Sequence, residues 1–195
     1  MKLTYPPGAT PLDPNELAGL KFKHVTLQNE LDQLEQANIQ EGLQWLSRTK
    51  EADILTEQFL CKLHKQLFGQ VWSWAGQYRT TGKNIGVDAA QIGVQLRQLF
   101  DDVTYWCDND IYPPIEIAVR FHHRLVYIHA FPNGNGRHAR IMADSLLVKH
   151  LGQPVIDWAG GHDLQAIGAR RSQYIAALKE ADNHNYQPLL EFAGA

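Results

Sequence analysis

His129-Ala130-Phe131-Pro132-Asn133-Gly134-Asn135-Gly136-Arg137-His138-Ala139-Arg140 is the stretch from which the rest of the chain is read. Upstream, Ile117, Val119, Phe121, Leu125, Val126 and Ile128 follow the Pro113-Pro114 pair and predict a helix that is apolar on most sides, hence central. Downstream, HARIMADSLLVKHL returns to helical spacing until Gly152 and Pro154 stop it. The residues between form a loop that ends as a helix N-terminus. Gly134 and Gly136 flank Asn135 and can adopt positive φ, which turns consecutive N–H groups toward one point. The free amides and positive dipole end of the following helix strengthen that nest, so a phosphate is its natural ligand. Arg137 and Arg140 stand three apart on one helix face and can hold further phosphate oxygens. His129, just before the nest, has the side chain best suited to proton transfer near neutrality. Singly, each element also suits a plain helix-loop-helix turn with solvated arginines. Their joint order argues for a di- or triphosphate site beside a base.

Working outward, helical spacing dominates. Leu27, Leu31, Leu34, Ile39, Leu43 and Leu46 predict one helix or two abutting ones over Thr26 to Ser47, with Asn38 or Gly42 as the break. Thr56 caps a helix carrying Phe59, Leu60, Leu63, Leu67 and Phe68, and Gly69 ends it. Ile92, Leu96, Leu99, Phe100 and Val103 mark another over residues 89 to 108. Asp163 is the expected cap of a last long helix through Ile167, Tyr174, Ile175 and Leu178, and Pro188 opens a short terminal one. The stretch QVWSWAGQYRTTGKNIGV, with its tryptophans, glycines and β-branched residues, predicts a turn followed by a short β-hairpin. Four of the nine prolines, Pro6, Pro7, Pro11 and Pro14, fall in the first 23 residues and predict an extended arm. The expected architecture is an all-α bundle over residues 24–192 with one β-hairpin flap.

With 195 residues, 44% hydrophobic and 20% charged, the chain is ordinary for one globular domain. A net charge of -3 provides no field to gather a nucleic acid backbone. Cys61 and Cys107 sit in apolar helical contexts and read as buried thiols rather than a disulfide or a zinc site. The first 20 residues lack the continuous apolar stretch of a signal peptide, and no run reaches the length of a membrane span, so the expectation is a cytoplasmic protein. The remaining histidines, among them His122, His123, His138 and His150, form no HExxH or comparable ligand set and read as surface, core or supporting residues.

The order of a His, a spaced Phe, an acidic position, Gly-Asn-Gly-Arg and a second Arg resembles the signature of the Fic (Fic/Doc) family. LHKQLFGQVWSWAGQYR is similar to the family's helix and WAG-containing turn, and TGKNIGVDAAQIG occupies the place of its target-clamping flap. The resemblance covers roughly residues 24 to 192. Through TPLDPNELAGL, the EQANI stretch and PNGNGRHAR it comes nearest to the mobile mystery protein B group, which implies a bacterial, operon-linked, toxin-antitoxin type of context.

The resemblance implies a protein adenylyltransferase that moves AMP from ATP to a Tyr, Thr or Ser hydroxyl. His129 would be the general base. Gly134, Asn135 and Gly136 would hold the α- and β-phosphates, and Arg137 and Arg140 the β- and γ-phosphates. Gly136 stands where the Doc-like phosphotransferase branch has lysine, which favours transfer of the monophosphate. Asn133 replaces the Asp or Glu that holds Mg²⁺, so a weak metal site is expected, with most ligation from the nucleotide. That substitution also motivates the alternative of a catalytically weakened nucleotide-binding or partner-binding module. Tyr174 and Asp182 would contact the base, although a core tyrosine and a solvated acid are equal alternatives. Lys83, Asn84, Ile85, Gly86 and Val87 would dock a target segment by strand addition. For an inhibitory helix around residues 26–47, Thr26-Leu27-Gln28-Asn29-Glu30 gives Glu30 as the candidate partner of Arg140, with Glu35 as its rival. A solvated Glu30 would leave inhibition to a separate antitoxin-like protein.

Overall fold

Pro114 opens the central helix because its ring presets the helical φ and its missing N–H falls where no intrahelical acceptor exists. In a computed structural model, which describes residues 10–50, 53–160, 164 and 168–194, that helix runs Pro114–Ile128. The described helices in chain order are α1 (Pro14–Leu17), α2 (Gln28–Arg48), α3 (Glu57–Phe68), α4 (Ile92–Asp108), α5 (Pro114–Ile128), α6 (Asn135–Lys149), α7 (Ala169–Asp182) and α8 (Gln187–Ala193). Thr56 caps α3 by accepting the Phe59 N–H at 3.2 Å, and Gly69 closes it. Asp163 and Ile167 lie outside the described residues.

α5 is shared between two apolar cores. Ile117, Phe121, Leu125 and Ile128 face a large core built with α3 and α4, while Ala118 and Val119 face a smaller one with α7 and α8. α6 divides likewise: Met142 and Leu146 go to the first core, Ala143 and Leu147 to the second. The loop joining α5 to α6 is therefore suspended from two helices buried on both flanks.

Of the two readings of residues 26–47, the single helix is the one that forms. α2 has no break, because Asn38 is buried inside it, donating to the Gln66 carbonyl at 2.9 Å and accepting the Gln70 N–H at 2.9 Å. Gly42 lets α2 and α3 approach closely: a Cβ there would stand 2.8 Å from Leu67 Cδ2 and 3.0 Å from the Gln66 carbonyl. The arm is not wholly extended. Pro14 starts the helical turn α1, and Glu16 folds back to accept the Asp13 N–H at 2.8 Å.

The hairpin does not form. Residues 77–88 are turns and irregular backbone, and among the described residues the one isolated bridge is Leu20 with Trp72. The two arms of the flap bond to the α5–α6 connection instead of to each other. Arg79 N–H donates to the Ala130 carbonyl at 2.9 Å and Val87 N–H to the Ile128 carbonyl at 3.4 Å. Both cysteines are free and half-buried rather than enclosed. No helix among the described residues is long and apolar enough to cross a membrane.

Candidate active site

The loop is built on its floor. Phe131 is fully buried and stacks on His64 with ring centroids 3.8 Å apart. His64 accepts the Gly76 N–H at Nδ1, 3.0 Å, so its Nε2 carries the proton and donates to the Asn133 carbonyl at 3.0 Å. His138 Nε2 donates to the Leu60 carbonyl at 3.0 Å. Burial holds His64 well below the ordinary imidazole range and His138 down at about 3, so both serve as neutral spacers. His64 escapes a reading of the sequence, since an isolated histidine on an apolar helix carries no signal of its partner.

Gly134 takes φ 79° and caps α6, and a Cβ there would meet the Phe68 ring at 2.7 Å. Only glycine fits both constraints. The Asn135 side chain does not reach outward to a phosphate. It is buried, accepting the Phe131 N–H at 2.9 Å and donating to the Phe131 carbonyl at 2.7 Å, which ties the loop closed. The contribution of Asn135 to an anion is thereby reduced to its backbone. Asn135, Gly136 and Arg137 form the first turn of α6, where N–H groups lack intrahelical acceptors.

The two arginines are held differently. Arg137 Nη1 donates to Glu35 at 2.6 Å, its Nη2 lies 3.4 Å from Asn133 Oδ1, and its guanidinium covers the Phe68 ring. Glu35 is buried, and its other oxygen accepts Trp72 Nε1–H at 2.6 Å. Arg140 Nη1 lies 3.4 Å from the Tyr174 hydroxyl, and a Cβ at Gly136 would stand in van der Waals contact with both groups, at 3.7 and 3.9 Å. Glu30 is not the partner of Arg140: it sits exposed at the start of α2, 3.4 Å from the Leu27 N–H, where a carboxylate suits the helix dipole. The acid that reaches the loop is Glu35, and it meets Arg137.

Tyr174 and Asp182 do not converge on one ligand. Tyr174 is a core residue whose hydroxyl lies 2.9 Å from His122 Nε2 beside Arg140, and burial raises its pKa. Asp182, half-exposed, lies 2.9 Å from His123 Nε2. Tyr174 thus positions Arg140, and Asp182 secures His123.

His129 ends α5 with φ 55°, a left-handed turn that is unusual for a residue with a Cβ and re-aims the ring. Burial pushes its pKa down to about 4, Arg79 and Lys83 add to the effect, and the Val126 carbonyl offsets part of it. The ring is therefore neutral near pH 7. Its Nε2 lies 3.0 Å from Thr10 Oγ1. Arg79, not foreseen from the sequence, is buried and binds the surrounding backbone: Nε donates to the His129 carbonyl at 2.6 Å, Nη1 to Thr81 at 2.8 Å, and Nη2 to Val87. Gly86 passes so close that a Cβ would stand 2.7 Å from His129 Cβ. Ile85 is exposed, whereas the Lys83 side chain is buried and committed to Asp13, Glu16 and the Pro11 carbonyl.

Residues 129–140 bring no carboxylate of their own to a magnesium ion. Asn133 Oδ1 already accepts the Gly134 N–H and approaches Arg137, and the Glu35 carboxylate is taken by Trp72 and Arg137. Among the described residues no group of three His, Cys, Asp or Glu can hold a metal.

Solved structures share this architecture, which places the molecule in the class of Fic-fold helical domains. The N-terminal Fic domain of Bep8 from Bartonella sp. 1-1C superposes with TM-score 0.71 at 15% identity, over 90% of this chain and 88% of that one. BepC from Bartonella tribocorum, solved with bound AMPPNP, gives TM-score 0.68 at 19% identity over 92% and 96%. Residues 54–147 match the Fic/DOC family. A protein adenylyltransferase Fic of Nematostella vectensis is 27% identical over 83% of this chain and 37% of its own length. Protein adenylyltransferase fic-1 of Caenorhabditis elegans is 25% identical over 74% and 27%. The chain thus spans about a third of the length of these curated relatives.

Proposed function

We propose that the chain is a protein adenylyltransferase that moves AMP from ATP to a Tyr, Thr or Ser hydroxyl, held in check by Glu35. The observation that carries this reading is the juxtaposition of a neutral, buried His129 with the first turn of α6 and its two arginines. Adenylyltransferase relatives and a Fic-fold neighbour holding AMPPNP support it. The α6 amides, Arg137 and Arg140 offset charge on the triphosphate and on the pyrophosphate as it leaves. His129 Nε2 takes the proton of the incoming hydroxyl. Glu35 opposes this, because a carboxylate on Arg137 stands where phosphate oxygens would bind. Inhibition is on this reading intrinsic, and a separate inhibitor protein is not needed. Magnesium would arrive with the nucleotide, since Asn133 offers no charged oxygen.

Labelled ATP tests the reading. Incubated with Mg²⁺ and a lysate, the protein and its Glu35→Gln variant are expected to transfer label from the α-phosphate, the variant more strongly. Transfer from the γ-phosphate would instead establish phosphotransfer. His129→Ala labelling as strongly as its parent would remove His129 as the base.

A further inference from the structure

The base is already in contact with a hydroxyl of its own chain. Thr10 is buried, and its Oγ1 lies 3.0 Å from His129 Nε2, within the reach of a nucleophile paired with its general base. The segment that brings it there is anchored at many points. Lys83 gathers the Pro11 carbonyl, Asp13 and Glu16. Thr81 donates to Asp13 at 2.8 Å, and the Thr81 and Lys83 contacts hold that carboxyl below its usual range. Trp74 Nε1–H donates to the Glu16 carbonyl at 2.8 Å. Farther along, Lys21 N–H donates to Val71 and Ser73 N–H to Gly19, each at 2.9 Å. The Thr81 and Lys83 anchors occupy the flap, the surface on which an incoming target would lie.

A hydroxyl that merely filled a corner would not require this register. We infer that residues 10–21 are a tethered acceptor segment and that Thr10 is a self-modification site for AMP; this rests on the nucleotidyl-transfer reading above. In the step, neutral His129 Nε2 takes the Thr10 proton while Oγ1 forms a bond to the α-phosphorus of ATP. The bond from that phosphorus to its bridging oxygen breaks, and the electron pair leaves with pyrophosphate. A hydroxyl fixed beside its base reacts with an effective molarity on the order of 10⁵ M or more when well aligned. A free target at millimolar concentration or below competes poorly, so Thr10 is modified first. The adduct then occupies the acceptor side and must withdraw with the arm before another hydroxyl can enter.

The test uses the whole chain and its Glu35→Gln variant with ATP and Mg²⁺, followed by intact mass and peptide fragmentation. ATP binding is titrated in parallel. The expected result is one AMP on Thr10, formed at a fractional rate independent of protein concentration, retained in Thr10→Ser and absent from Thr10→Val. Lys83→Met, which loosens the arm, should slow it. AMP on other residues or on added protein, with Thr10 unmodified, overturns this inference and leaves the adenylyltransferase reading standing. ATP binding with no AMP transfer to any protein overturns both.

Discussion

The proposed nucleotide side and the proposed acceptor side of the site are each filled by the chain's own side chains, but they are built by different means. On the nucleotide side, residues 131–140 supply nearly everything locally: Asn135 closes the turn, Gly134 caps α6 and the arginines follow one helical turn apart. One long-range carboxylate, Glu35, engages Arg137 there. On the acceptor side almost every contact is long-range. Arg79 joins the flap to His129 across 50 residues, and Thr10 arrives across 119. A short local motif can thus build the loop, whereas the placing of Thr10 on His129 depends on the whole fold.

Acid should break both sides at once and have the largest effect. His64, His122, His129 and His138 are all depressed by burial, so the unfolded chain takes up protons that the folded chain refuses. Their stabilisation is present above pH 6.5 and is lost as pH falls toward 4, and His129 alone accounts for about 3 kcal/mol. Urea midpoints should hold between about pH 7.5 and 6.5 and then decline toward about pH 4. A flat profile would mean that these rings are solvated.

Arg79→Met breaks only the acceptor side. The Thr81, Val87, Ile128 and His129 carbonyls lose a buried cation, at roughly 3–5 kcal/mol. Hydrogen exchange should rise at residues 79–87 well before it rises in α6. Asn135→Ala is the counterpart on the nucleotide side. It leaves the Phe131 N–H and carbonyl unpaired, at about 2 kcal/mol, and should show in the unfolding midpoint and in weaker ATP binding. Glu35→Gln has the smallest effect and sharpens the contrast. It keeps the Trp72 bond and weakens the hold on Arg137, so ATP should bind roughly tenfold tighter, about 1.4 kcal/mol, by calorimetric titration.

The irregular flap shows where a pattern in the sequence points to the wrong partner. TTGKNIGV has hairpin residues, yet Arg79 outcompetes strand pairing because four backbone carbonyls converge on one buried cation. Glu30 fits the spacing that the resemblance implies but lies at the exposed end of α2, while Glu35 lies a little over one turn further in, on the face that meets α3 and the loop. Tyr174 and Asp182 share a helix, but their side chains are claimed by α5 histidines before any ligand is considered.

By itself the sequence determined the helical bundle, the central place of α5 and the glycine turn that opens α6, because apolar periodicity, caps and glycines act over a few residues. Only the tertiary structure decided that Glu35 faces Arg137, that Arg79 fixes the flap and that Thr10 lies on His129. Those pairs are separated by 102, 50 and 119 residues, and no local propensity encodes which distant polar groups must satisfy one another once water is excluded.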